Sequence, residues 1–196
     1  DNPGWGLLPR AVHATLSHIE KCGANGIKSV LLLSAVEFYC YQAFDLADKA
    51  GKQMCAMKGH QVVGNSYQHC DSPAILAEFL DRVYGNRNVA ATAMNDGSSR
   101  SHCAITLTLM TWDQTADTFK QTKFSIVDLA GAERPEKASH RGKRCTKEQA
   151  IPELYQYFKK GMQGKLSMEL QGYLINFELA DLLSEVVAAT SLAKQG

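Results

Sequence analysis

The spacing of apolar side chains predicts helices in four parts of the chain. Residues 7–24 carry an apolar stripe at helical spacing, with Pro9 in the first turn and Gly23 at the end. Ser72 suits the N-cap of a second helix, which places Leu76, Phe79 and Val83 on one face. The four predicted helices span 7–24, 73–85, 146–160 and 166–188.

Strands are predicted between these helices, where β-branched and aromatic residues alternate with polar ones. The predicted strands span 28–42, two short pieces within 52–69, and then 102–112 and 122–129. The polar segment Asp113–Thr118 closes the last two into an antiparallel hairpin. The pattern predicts an α/β fold, with a central mixed β-sheet flanked by helices, and one domain over 1–196.

Composition narrows the class of protein. The chain has 196 residues, a net charge of +1 and 45% hydrophobic residues, which suits a globular domain and excludes a globally basic nucleic-acid binder. The longest apolar run, Val30–Ala35, is interrupted by Ser34 and is too short to cross a bilayer. The six cysteines form no CxxC pair and match no zinc finger. Their even number allows three disulfides, but a chain of this size with a proper core does not need them, so free thiols and, with no secretory signal in 1–12, a location in the cytoplasm are predicted.

A polar segment, Asn95–His102, reads NDGSSRSH and directly precedes a predicted strand. Serine hydroxyls bind Mg²⁺ and donate to phosphate oxygens, and an arginine beside them can pair with a phosphate or a carboxylate. The alternative is a serine-rich turn that caps a helix or begins a strand, so this segment by itself leaves both interpretations open.

A second segment, Phe124–Arg134, is an apolar strand that ends in Asp128-Leu129-Ala130-Gly131. Phosphate-hydrolysing folds place a carboxylate near Mg²⁺ in this way, and the glycine allows a backbone N–H to approach the terminal phosphate. A buried strand followed by an ordinary turn would look the same.

Taken in this order and at this spacing, NxxSSRSH and DLAGAER resemble switch I (95–102) and switch II (128–134) of the kinesin motor domain. Gly6–Ala11 is similar to the family's GIIPRA-like segment, and Ala35–Leu46 to its "LEIYNE…DLL" strand. Leu174–Leu179 is similar to the "IN.SL" part of the family's helix that faces the microtubule. The resemblance covers roughly residues 6–188 and implies a partial motor domain of a cytoskeletal protein, with ATP or ADP and Mg²⁺ as cofactors and microtubules as partner.

The resemblance also implies roles for individual residues. Asn95, Ser98 and Ser99 would bind the nucleotide, with Ser99 on Mg²⁺ directly and Asp128 through a water. Arg100 would pair with Glu133 to close the switches, and Gly131 would donate its N–H to the γ-phosphate. The residues expected to meet the microtubule are Lys137, Arg141, Lys143, Arg144 and Asn176.

Two departures from the family pattern matter for function. No GxxxxGK[ST] occurs in the 196 residues, so the cradle of backbone N–H groups and the phosphate-binding lysine are missing, and we expect weak ATP binding by this chain alone. After switch II, the enlarged region 134–165 holds a basic loop and an inserted helix. Arg134–Lys147 has six Lys and Arg against Glu136 alone, which suits docking to acidic tubulin or a solvated insertion.

Three functions stay open at this point. The chain is part of a kinesin ATPase whose P-loop lies on other residues, a catalytically inactive microtubule- or protein-binding module, or a structural subunit that has kept the fold. No nucleic acid or membrane is expected as a partner.

Overall fold

The computed structural model describes residues 4–24, 26–59, 61–93, 100–132, 147–160, 162, 166–167 and 170–181. These fall into two compact units. The first draws on Asp1–Phe38, Gln42–Gly97 and His102–Asp128, and the second on Tyr39–Tyr41, Ser98–Ser101 and Leu129–Gly196. The α/β class is confirmed, whereas the division into domains stays a prediction.

In the described residues of the first unit there are seven strands and two helices. They are α1 (Leu7–Gly23), β1 (Ile27–Tyr39, whose last residue belongs to the second unit), β2 (Gln42–Asp45), β3 (Gln53–Lys58), β4 (Gln61–Val63), β5 (Gln68–His69), α2 (Pro73–Ala93), β6 (His102–Asp113) and β7 (Thr118–Asp128). The sheet order is β4-β3-β2-β1-β6-β7, with β5 also paired to β1. The long antiparallel pairings of β6 with β1 and with β7 form the centre of this sheet.

The core of the first unit lies where α1 and α2 pack on β1 and β6. Val12 of α1 and Phe79 of α2 are 1% and 0% exposed, and both belong to one cluster with Leu33 and Leu107 of the sheet. β1 lies between β2 and β6, and its residues 33–37 are all buried, which agrees with its nearly continuous apolar sequence.

The strand predicted over 28–42 is wrong at its end. β1 ends at Tyr39, and the chain turns through Cys40 and Tyr41 into β2. Both turn residues have positive φ, 51° and 58°, a backbone conformation that Asn and Gly usually supply in a two-residue hairpin. The sequence contains no such turn signal here, so the hairpin could not be anticipated locally.

The second predicted helix is also longer than expected. α2 continues past Gly85 to Ala93 rather than ending at 85. The side-chain amide of Asn86 donates to the carbonyls of Leu46 (2.9 Å) and Asp48 (3.1 Å), so tertiary contacts hold the helix where glycine would otherwise favour its end.

The second unit contains α3 (Lys147–Lys159) and a helix over residues 170–181, here α4. Both lie within the helices predicted over 146–160 and 166–188. The helices pack on the turn that follows β1, through a cluster formed by Cys40, Ala150, Leu154, Leu170, Tyr173 and Leu174. None of the helices in the described residues is long and apolar enough to cross a membrane.

The cysteines of the described part are free thiols. Burial raises the pKa of Cys40 to about 12 and that of Cys103 to about 11. These thiols are therefore protonated near neutral pH and act as small apolar core residues.

Candidate functional site at the end of β7

Asp128 is the last residue of β7, at the end of the sheet where the predicted switch II begins. Its Oδ2 accepts a hydrogen bond from Nη1 of Arg87 on α2, with a distance of 2.7 Å. The two partners differ in exposure, because the Arg87 side chain is 8% exposed and that of Asp128 is 70% exposed. The arrangement holds a largely exposed carboxylate in place on a buried guanidinium.

Arg87 reaches this position through the helical repeat of α2. Phe79, Val83 and Arg87 are spaced four residues apart and are all buried, so the arginine continues the apolar stripe toward the end of the sheet. A cation at the end of a buried stripe calls for an anionic partner nearby. Sequence reasoning missed Arg87, although this spacing was a signal that could have identified it.

His102 and Cys103, the first residues of β6, lie beside this ion pair. Cys103 is paired in register with Asp128, and both His102 and Cys103 are buried. Burial lowers the pKa of His102, the positive charge of Arg87 lowers it further, and Asp128 opposes both effects. His102 is therefore neutral at physiological pH and is not a source of positive charge for a phosphate.

A second ion pair lies farther along the same end of the sheet. Glu37 of β1 is 2% exposed and is paired in register with Cys103 of β6. Its Oε2 contacts Nζ of Lys52, and that ammonium also lies 4.4 Å from the ring centroid of Phe44. Lys52 is thus committed to Glu37 and Phe44, which makes it a structural cation rather than a ligand-binding one.

The remaining predicted residues lie partly within and partly outside the described residues. Arg100 is half-buried, Gly131 is exposed in the irregular segment after β7, and Asn176 is half-buried on α4. The other predicted site residues lie outside the described residues: Asn95, Ser98, Ser99, Glu133, Lys137, Arg141, Lys143 and Arg144. The pairing of Arg100 with Glu133 and the roles of these residues therefore stay predictions.

A bound magnesium nucleotide would need oxygen ligands for its metal ion. In the part of the chain that the structure describes, no three His, Cys, Asp or Glu side chains are placed to hold a metal ion by themselves. Magnesium in phosphate-transfer sites is instead bound by one or two protein oxygens together with phosphate oxygens and waters. An exposed carboxylate fixed by one oxygen, as in Asp128, fits a role in holding such a water.

Comparison with known proteins identifies a matching family and similar sequences. A family model described as the kinesin motor domain matches residues 1–153. Kinesin-like protein KIF15 of Mus musculus is 36% identical over 150 residues, which cover 71% of this chain and 11% of that protein. Kinesin-like protein KIF1C of Homo sapiens is 30% identical over 148 residues, covering 71% of this chain and 13% of that protein.

Solved structures show the same fold. A fast kinesin matches with a TM-score of 0.62 and 24% identity, over 91% of this chain and 53% of that one. The C-terminal motor domain of Kar3 from Candida glabrata matches with a TM-score of 0.54 and 26% identity, over 68% of this chain and 43% of that one. The chain thus spans about half of these structures and about a tenth of the curated relatives. It belongs to the kinesin motor-domain family.

Proposed function

We propose that residues 1–196 are the switch and microtubule-binding portion of a kinesin motor domain, acting at the cytoskeleton. The observation that carries this proposal is the family match over residues 1–153, which spans both switch-like motifs, 95–102 and 128–134, in their order. In this proposal the chain binds microtubules directly. It takes part in ATP hydrolysis where a P-loop-bearing segment completes the nucleotide site.

The nucleotide-binding role of Asp128 is supported by its geometry. The carboxylate stands at the end of β7 on a buried arginine, and it remains 70% exposed. It would hold a water of Mg²⁺, while Ser98, Ser99 and the N–H of Gly131 would meet the ion and the terminal phosphate. When bound, the metal neutralises charge that develops on the transferred phosphoryl group. Loss of that phosphate would release both segments, as in a phosphate sensor.

Microtubule binding is assigned to the basic segment after switch II and to α4. Neutralising Lys137, Arg141, Lys143 and Arg144 together should raise the dissociation constant for microtubules by about tenfold or more, because attraction to an acidic surface is lost. The affinity of the unmodified chain should also fall steeply as salt is raised, and that of the variant only weakly. Co-sedimentation with stabilised microtubules over a salt series measures both effects.

The matched control removes the same number of charges elsewhere. Lys21, Lys58, Lys120 and Lys123 are exposed on α1, β3 and β7, and their replacement changes the net charge of the chain equally. This control should keep its affinity within about threefold, since only local charge opposite tubulin matters at physiological salt. Equal loss of affinity in both variants would contradict the assignment of the basic segment.

A second candidate function is a kinesin-derived binding module without ATP turnover. The absence of GxxxxGK[ST] from the 196 residues favours it, because the switches alone lack the phosphate cradle. A P-loop sequence elsewhere in the same protein would support the ATPase, and a protein without one would support the binding module.

A further inference from the structure

The turn at Cys40 and Tyr41, between β1 and β2, is strained and depends on contacts with residues outside the turn. Cys40 and Tyr41 both have positive φ, which side chains with a Cβ atom rarely adopt, and the turn contains no glycine or asparagine. Such a conformation persists only where surrounding contacts over-determine it. Both the turn and α4 belong to the second unit, and α4 supplies these contacts.

A single buried carboxyl group provides the main contacts. Glu178 of α4 is 9% exposed, and its Oε2 accepts a hydrogen bond from the backbone N–H of Cys40 at 2.9 Å. Its Oε1 accepts another from the N–H of Tyr41. One side chain thus bonds both strained residues, at a sequence separation of 138 and 137 residues.

Two further bonds join the same turn and helix. The hydroxyl of Tyr41 donates to Asp181 at 2.5 Å, and the hydroxyl of Tyr39 donates to Gln171 at 3.0 Å. Gln171 and Asp181 lie at opposite ends of the described part of α4. The helix is therefore fastened to the turn at both ends, with Glu178 between the two attachments.

Burial makes the charge of Glu178 unfavourable, and a neighbouring carboxyl group adds to this effect. Burial raises the pKa of Glu178 to about 7; the two N–H bonds oppose this shift, and Asp181 adds to it. Tyr39, Cys40 and Tyr41 face it from the turn, and burial raises their pKa values as well. On α3, burial raises the pKa of Tyr157, and the nearby Cys40 raises it further. The positive charge of Arg100 opposes the rise in the pKa of Tyr39.

We propose that Glu178 is a pH-dependent anchor, whose ionisation weakens the docking of α4 on the Tyr39–Tyr41 turn. The direction follows from linkage, because a carboxyl that binds its proton more tightly when docked favours docking in acid. Docking is then strongest below about pH 4.5, where an exposed glutamic acid is still protonated. It weakens as the pH rises toward 7 and stays at its lower level above that.

Hydrogen–deuterium exchange of the whole chain tests this inference without ATP or microtubules, so its failure is distinguishable from failure of the proposed function. Protection factors, corrected for intrinsic exchange, are compared between pH 5 and 8 in peptides that cover 39–42 and 170–181. We expect protection in the unmodified chain to fall by about 30-fold or more, and protection in Glu178→Gln to stay level because the amide does not titrate. Peptides from β6 in the first unit serve as the internal reference.

Asp181→Asn provides a second and milder variant. It keeps an oxygen for the Tyr41 hydroxyl but removes the negative charge beside Glu178, so the midpoint of the pH dependence should move to lower pH. An identical pH profile in the unmodified chain and Glu178→Gln would overturn the proposal, and so would an unmoved midpoint in Asp181→Asn.

Discussion

Replacing Phe79 by alanine should lower the free energy of unfolding by about 3–5 kcal/mol, the range for removing a fully buried aromatic ring. Phe79 is 0% exposed and belongs to the cluster that joins α1, α2 and the sheet. The cluster draws residues from two strands and two helices, and these elements cannot all move in to fill the space left by the ring. Urea unfolding should show a lower midpoint with an unchanged m value.

Tyr84 provides a control on the same helix. Its side chain is 53% exposed, so Tyr84→Ala should change the stability by less than about 1 kcal/mol. Phe79→Leu keeps most of the buried volume and should cost less than half as much as Phe79→Ala, which covers the case in which the alanine variant does not fold. Similar losses in Phe79→Ala and Tyr84→Ala would contradict the placement of α2 against the sheet.

The second large effect concerns the pair formed by Arg87 and Asp128, and it should be asymmetric. Asp128→Asn removes the negative charge that faces a buried guanidinium, and we expect it to cost about 1–3 kcal/mol. Arg87→Met should cost less, because methionine fills a similar volume without a charge and the largely exposed Asp128 stays hydrated. Adding Arg87→Met to Asp128→Asn should therefore restore part of the stability, as a double-mutant cycle would show.

The pKa of His102 reports on this ion pair, and a substitution that only weakened packing would not change it. Arg87 lowers the pKa of His102 and Asp128 raises it. Arg87→Met should therefore raise this pKa and Asp128→Asn should lower it, as measured by NMR of the imidazole protons. Shifts in the same direction in the two variants would contradict the arrangement at the end of β7.

Local sequence patterns predicted most of the helices and strands because each pattern lies within the element that it determines. The stripe of α1, the alternation along β6 and the polar residues between β6 and β7 each determine one element within a few residues. The last pair of the β6–β7 ladder joins Asp113 and Thr118, at the ends of the polar segment that was predicted to close the hairpin.

The errors arose where distant residues decide the local structure. Cys40 and Tyr41 turn the chain without glycine or asparagine because Glu178 accepts hydrogen bonds from their N–H groups. Asn86 holds α2 beyond Gly85 by bonding to carbonyls about 40 residues earlier. Neither contact can be read from a window of neighbouring residues.

For the candidate site, the motifs located Asp128 but not its partner. The pairing expected near the switches joins Arg100 to Glu133, whereas the arginine on Asp128 is Arg87, from the preceding helix. Glu178 was overlooked for another reason: it stands where the "IN.SL" pattern has serine, and the resemblance drew attention to Asn176 instead. A departure from a family pattern was thus the better indicator of a contact specific to this chain.

The most direct test of the proposed function is co-sedimentation of the unmodified chain with microtubules, with ATP, with a non-hydrolysable analogue and without nucleotide, at low and high salt. The proposal predicts pelleting at low salt that weakens as salt rises and is the same in all three nucleotide states, because the 196 residues lack a P-loop. Failure to pellet at low salt would contradict microtubule binding by this chain. Pelleting that changes with nucleotide would contradict the requirement for a P-loop-bearing segment.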